Sequence, residues 1–134
     1  MKVLIASSEV FPYSKSGGLA DMAGALAKSL ARARTEVGVV TPLYRGIRDD
    51  FPELKKIDWV IDLPIADRRV QGSVWLAKPS PRLTLYFIEH EHYYNRPALY
   101  QENGIGYEDN AERFIFLSKC VAQLARYLPW RAEI

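Results

Sequence analysis

Apolar residues recur along this chain with two different periods, and the switches between them predict its elements. Lys2 to Ala6 holds the unbroken apolar run Val3, Leu4, Ile5, Ala6, which suits a short parallel strand covered on both faces. A stretch of breakers follows, with Ser7, Ser8, Pro12, Ser14, Ser16, Gly17 and Gly18. From Leu19 the positions Leu19, Met22, Ala23, Leu26 and Leu30 recur at helical spacing, predicting an amphipathic helix to about Ala33. Val37 to Thr41 reads as a second apolar strand, stopped by Pro42. Strand, glycine-containing loop, helix and strand in that order make a right-handed βαβ unit.

The middle of the chain changes rhythm. Ile57 to Ile65, Val70 to Ala77 and Leu83 to Ile88 are β-rich and separated by Asp67-Arg68-Arg69 and by Pro79-Ser80-Pro81. No helical pattern lies between them, so hairpin-linked strands are expected, partly antiparallel to the first two. Glu89 to Tyr107 reads as a long polar and aromatic loop, of a length that is usually functional or mobile. A second helix is expected from Asp109, where Asp109 and Glu112 form an acidic variant of the capping box. Phe114, Leu117, Val121, Leu124 and Leu128 then mark one buried face up to Pro129. Ala132-Glu133-Ile134 has the character of a further strand's beginning. The predicted class is parallel α/β with added hairpin strands.

Composition narrows the function. A chain of 134 residues with 49% hydrophobic and 25% charged residues is one globular domain at most. The net charge of +2 is spread without a basic stripe, which argues against a nucleic-acid partner. The single cysteine, Cys120, rules out an internal disulfide and a cysteine-rich metal site, and reads as a small core hydrophobe. Val3 to Ala6 is shorter than the core of a signal peptide, and no run of about 18 apolar residues occurs. A cytoplasmic chain without a membrane partner is therefore expected.

The strongest local signal for chemistry is Lys15-Ser16-Gly17-Gly18-Leu19-Ala20-Asp21, between the first strand and the first helix. Glycines at 17 and 18 let an anion approach the backbone, and the first amides of the helix have no partner within it. With the positive end of the helix dipole these amides form a phosphate site, and Lys15 adds a mobile charge beside it. Asp21 suits either the dipole or the hydroxyls of a sugar. The bland alternative is a plain turn followed by an acidic cap, because neither GxGxxG nor GxxxxGK[ST] is present. Glu9 is the acid nearest the strand end, suited to the site or to pinning the loop. His90 and His92 lack a third ligand for a metal. Arg96 and Arg113 suit loop carbonyls or carboxylates better than substrate.

The segment SSEVFPYSKSGGLADMAGALAKSL resembles the opening of the bacterial glycogen and plant starch synthases, retaining glucosyltransferases. VGVVTPLYRGI, HYYNRPALYQENGIGYEDNAERFIFLSK and YLPWRAEI are similar to later stretches of that family, in order, so the resemblance spans the chain. It implies a Rossmann-like doubly wound sheet with added hairpin strands, the partial N-terminal domain, residues 1–134, of a two-domain GT-B enzyme, with the C-terminal nucleotide-binding domain absent. Further implications are ADP-glucose as donor substrate, the non-reducing end of an α-1,4-glucan as acceptor, and no metal or other cofactor. On this chain Lys15 would reach the donor's phosphates, Gly17 and Gly18 would offer amides to the distal phosphate, and Ser16 would assist. Asp21 would lie near the sugars, and Tyr94 would line the sugar or acceptor cleft, with Tyr93 as the alternative ring.

Where that family commonly has Gly-His before its second strand this chain has Arg34-Thr35, removing the usual glycine cap at a cost of about 1 kcal/mol. Met22-Ala23 and Ala27 also depart from the pattern, in ways a helix tolerates. The family's His-Ala-His-Asp-Trp-His-like segment would begin just after Ile134. The expectation is thus a fragment inactive alone, with an uncovered sheet edge and apolar helix faces that favour self-association. Two other readings stay open: a self-sufficient small nucleotide- or partner-binding α/β domain without catalysis, and a relative using another nucleotide sugar.

Overall fold

The computed structural model describes residues 1–134 throughout. Five strands, β1 (Lys2–Ala6), β2 (Glu36–Pro42), β3 (Lys55–Ile65), β4 (Arg68–Ser80) and β5 (Leu83–Glu89), form one sheet in the order β1-β2-β5-β4-β3. The pairs β1·β2 and β2·β5 are parallel, whereas β4 runs antiparallel to β5 and β3 antiparallel to β4. The helices are α1 (Gly18–Arg32), α2 (Ile47–Asp50), α3 (Glu91–Tyr94) and α4 (Asn110–Tyr127), and a hairpin joins β6 (Gln101–Glu102) to β7 (Ile105–Gly106).

Strand register divides the core between the two faces of the sheet, because side chains alternate along each strand. Leu4 pairs with Gly38 and Val40 with Tyr86, so these point to one side, where Trp130 covers Gly38 and Phe116 of α4 covers Gly72. Val39 pairs with Leu85 on the other side, where both line a small apolar gap together with Gly24 and Ala27 of α1. One long helix therefore lies on each face, as a doubly wound sheet requires. No helix is long and apolar enough to cross a membrane.

Helix α1 buries only part of the face its apolar residues mark, with Ala23 buried and Leu30 half-buried against the core. Ala20, Ala23, Gly24 and Ala27 are buried, while Leu19, Met22 and Leu26 are 44%, 54% and 43% exposed. The reason is close approach: a Cβ on Gly24 would stand 2.5 Å from the backbone oxygen of Phe11. Only a stripe of small residues lets the helix sit that near the preceding loop, so leucines on that side are excluded sterically.

The β3–β4 turn is tighter than expected, at Ala66-Asp67, with Ala66 in the left-handed region at φ 53°. Strand β4 continues through Pro79 to Ser80, its register slipping between Ala77 and Ser80, where a bulge accommodates a residue with no N–H. Within the expected long loop, Asn103 and Gly104 both take positive φ and close the β6–β7 hairpin. Helix α4 begins after Asp109, yet the Asp109 side chain makes no cap bond and binds Arg96 instead. Its buried stripe is Arg113, Phe116, Leu117, Cys120 and Leu124, with Phe114 and Val121 only half-buried. The thiol of Cys120 is pushed up to about 12 by burial, in keeping with a core role. The β1 edge is partly met by the end of the chain, with Leu4 N donating to Ile134 O at 2.8 Å and Glu133 N to Lys2 O at 2.8 Å.

Helix α1 ends in a Schellman turn without glycine. Thr35 N donates to Leu30 O at 3.0 Å and Arg34 N to Ala31 O at 3.2 Å, with Arg34 left-handed at φ 66°. Arg34→Gly is therefore expected to stabilise the chain by about 0.5–1 kcal/mol, seen as a higher urea midpoint at unchanged slope. A midpoint that does not rise would show that Arg34 bears no strain. Gly24→Ala should act oppositely, because the gain of about 1 kcal/mol in helix propensity is outweighed by about 1–3 kcal/mol of overpacking against an immovable carbonyl. A higher melting temperature for Gly24→Ala would contradict the close approach.

Candidate functional site

The carboxyl ends of β1, β2 and β5 lie along one edge of the sheet, and the loops leaving them form the candidate site. Beyond β1 the backbone of Ile134 brackets Val3, donating to Lys2 O at 3.3 Å and accepting from Leu4 N, which is a parallel pattern. The chain thus crosses from β5 through α4 to the far side of β1, and the loop after β1 sits where the strand order reverses. That is the position at which open α/β sheets bind ligands.

Glu9 organises this loop. It is 1% exposed, and each carboxylate oxygen accepts two hydrogen bonds. Oε1 takes the amides of Gly17 at 3.2 Å and Ala20 at 3.3 Å. Oε2 takes the Ser16 hydroxyl at 2.6 Å and the Tyr100 hydroxyl at 2.8 Å. Burial pushes this carboxyl up, but the bonds from Ser16, Tyr100 and the backbone of Ser16 and Gly17 outweigh it and hold Glu9 below the usual range. The loop is further stitched by Ser7 Oγ donating to Glu9 O, Val10 N to Ser14 Oγ, Phe11 N to Ala20 O, and Tyr44 Oη to Ser8 O at 2.6 Å.

The residues singled out from sequence gather on the outer side of this frame. Lys15 Nζ lies 2.6 Å from Asp21 Oδ2, both about half exposed, and 5.8 Å from the Phe11 ring centroid. Ser16 and Gly17 face inward to Glu9, whereas the amides of Gly18 and Leu19 meet no protein acceptor. A Cβ on Gly17 or Gly18 would touch nothing within 4 Å, so the loop is open to an incoming group. A polar recess of about 270 Å³ opens between the ends of β2 and β5, lined by Tyr44, Arg45, Arg48, Glu89, His90 and Asn95, and Tyr44 ties it to the loop after β1 through Ser8 O.

Tyr94 departs from its expected place. Its ring is fully buried, edge-on to Tyr44 at 6.0 Å, and its hydroxyl donates to Arg113 O at 2.7 Å. It lines no open cleft within these residues, because it ends α3 and its hydroxyl is held by a carbonyl of α4, which draws the ring under the loop. Tyr93 is buried as well, stacked on His90 at 4.0 Å. His90 Nδ1 accepts from Tyr93 N at 3.1 Å, and exposed His92 lies 3.7 Å from Asp109. Arg96 and Arg113 hold the loop as expected. Arg96 binds His92 O and both oxygens of Asp109, and Arg113 binds Tyr93 O, Leu99 O and Asn110 Oδ1.

Tyr44 and Tyr100 are the site residues that sequence reasoning passes over. Tyr100 reaches Glu9 across 91 positions, and no local pattern announces such a contact. The Asn103-Gly104 pair is the usable signal, since it marks the hairpin that turns Tyr100 inward.

The sheet order and the helix on each face define a Rossmann-like layer of the GT-B kind. Residues 2–134 match the family model described as the starch synthase catalytic domain. The chain is 37% identical over its whole length to glycogen synthase 1 of Geobacter sulfurreducens and 38% identical to the glycogen synthase of Bacillus subtilis. The solved structure titled as the catalytic domain of starch synthase IV from Arabidopsis thaliana, bound to ADP and acarbose, superposes on 93% of this chain with TM-score 0.72 and 25% identity. The chain belongs to the starch synthase catalytic domain family. It spans about a quarter of its relatives' length, 27% and 26% of the two bacterial enzymes and 25% of the plant chain.

The lowered Glu9 carboxyl links the site to pH. A carboxyl depressed in the fold contributes stability that is fully present above its unfolded value, about 4.3, and lost as pH falls through the folded value. Wild type should therefore lose stability below about pH 4, and Glu9→Gln should be less stable at neutral pH with a flatter acid limb. Urea midpoints measured from pH 7 down to 3 check this, and parallel curves for the two proteins would remove Glu9 as the cause.

Proposed function

We propose that these residues form the loop that receives the donor's phosphates in an enzyme moving glucose from ADP-glucose to the non-reducing end of an α-1,4-glucan. The observation that carries the reading is the open pair of amides at Gly18 and Leu19 beside Lys15, at the switch point of a sheet belonging to this family. Glycogen synthase names among the relatives and the ADP in the plant structure support donor and acceptor class.

In the transfer, the bond from glucose C1 to the phosphate oxygen breaks and a bond from C1 to the acceptor hydroxyl oxygen forms. ADP departs with the electron pair, and the hydroxyl proton passes to the leaving phosphate. Negative charge grows on that phosphate, and donors already aimed at it stabilise it without reorganisation. Gly18 and Leu19 provide amides, the α1 dipole adds to them, and Lys15 provides a charge that exchanges Asp21 for phosphate. Released from Lys15, Asp21 is free to accept sugar hydroxyls. The reading assigns the phosphates to amides and lysine, with no metal or other cofactor.

Lys15 alone neutralises too little of a diphosphate, so the transfer draws on cations from residues beyond these 134. Radiolabelled glucose transfer from ADP-glucose to glycogen tests this on the chain itself and on a chimera placing it in the Bacillus subtilis enzyme. The chimera should turn over and the chain alone should not. Lys15→Ala in the chimera should lower kcat by about 10²–10³. A folded, active chimera indifferent to Lys15→Ala, or turnover by the chain alone, would overturn the reading.

A further inference from the structure

We propose that Glu9 is a positioning residue that holds Gly17 and Ala20 so that the amides of Gly18 and Leu19 stay open, and that Tyr100 couples the 95–109 loop to this arrangement. The inference deepens the phosphate-loop reading and rests on it.

A negative side chain at the start of α1 would repel a phosphate if it faced outward, but the geometry separates the two anions. Glu9 approaches from the core side, is 1% exposed, and consumes the amides of Gly17 and Ala20. The amides between them, Gly18 and Leu19, have no acceptor, and the outer side of Gly18 is open space. The carboxylate thus takes the inward pair and leaves the outward pair. In addition, its bond to Ser16 fixes the residue that follows Lys15.

A buried carboxylate keeps its charge only while fully hydrogen-bonded, so each of its four donors matters to the others. Tyr100 is the remote one. Its hydroxyl meets Glu9 Oε2 at 2.8 Å and Ser8 Oγ at 2.7 Å. Its backbone oxygen accepts from Asn110 Nδ2 at 2.9 Å and Tyr107 N at 3.0 Å. Asn110 in turn accepts from Arg113, whose guanidinium also binds Tyr93 O and Leu99 O. A continuous set of bonds therefore runs from the start of α4, through Tyr100 and Glu9, to the start of α1. Anything that displaces the 95–109 loop removes a donor from Glu9 and loosens the Gly17–Ala20 turn.

The test uses the 134-residue chain, labelled for NMR, titrated with pyrophosphate as the probe. In wild type the Gly18 and Leu19 amides should shift and those of Gly17 and Ala20 should exchange slowly with solvent. Glu9→Gln should weaken pyrophosphate about tenfold and Tyr100→Phe about threefold, and the double variant should match Glu9→Gln because Tyr100 acts through Glu9. Binding by Glu9→Gln equal to or tighter than wild type, or losses that multiply in the double variant, would overturn the proposal. Lys15→Ala serves as the control for the phosphate site itself, since it leaves Glu9 untouched. If neither the wild-type chain nor the active chimera responds to pyrophosphate, the phosphate reading fails, and amide exchange in the chain then decides the role of Glu9. Faster exchange at Gly17 and Ala20 in both variants supports the coupling, and unchanged exchange refutes it.

Discussion

A carboxylate buried in a protein must be supplied with donors from wherever the chain can provide them, and the geometry around Glu9 follows from that requirement. Its four bonds come from Ser16, Gly17, Ala20 and Tyr100. Three of these residues are in the turn that opens α1, so the turn is shaped around the carboxylate. The fourth lies on the far loop, which is thereby drawn over the end of β1. Satisfying one charge joins two distant segments and leaves the outward amides of the turn unused.

Close packing sets the second constraint. Phe11 and the first turns of α1 are bound by Phe11 N to Ala20 O at 3.0 Å, and Gly24 lies directly against the Phe11 carbonyl. This contact rotates the helix so that its alanines and Gly24 face inward and Leu19, Met22 and Leu26 face out. The hydrophobic contribution of α1 is correspondingly small. Val37, Val39, Leu85 and Phe87 of the sheet are buried on that side, with Tyr13 packed edge-on to Phe87 at 5.1 Å.

Beyond the buried rings of Tyr93 and Tyr94, the loop between β5 and α4 is ordered by arginines. Arg113 is fully buried without a carboxylate on its guanidinium, and the rings of Tyr107, Phe114 and Tyr94 stand 5.0, 5.2 and 5.7 Å from it. Arg96 stacks on Tyr107 at 4.6 Å and clamps Asp109, whose carboxyl is held below its usual range by that arginine. Polar anchoring of this kind makes bond direction the determinant of loop shape, and Tyr100 is aimed at Glu9 as a result.

Local chemistry is what sequence reading captures here. The apolar runs of β1 and β2, the glycines before α1, the arginines as loop anchors and Cys120 in the core are legible because each depends on neighbours a few positions away. The same holds for the cluster from Lys15 to Asp21, since a loop and a helix start are local structures. Other features required the folded chain. Which side of α1 is buried depended on a backbone oxygen of the preceding loop, so Ala23 and Leu30 of the apolar set face the core while Leu19, Met22 and Leu26 are turned out, because volume and not hydrophobicity decided the contact. Tyr94 went into the core because α4 covers it, and Asp109 left its cap for Arg96. Tyr100 met Glu9 because the sheet brings the ends of β1 and β5 to one edge. Periodicity and composition determine which segments form and where charge can bind. Which donors meet a buried carboxylate is decided by tertiary structure alone, because hydrogen bonds are directional and their partners here lie up to 91 residues apart.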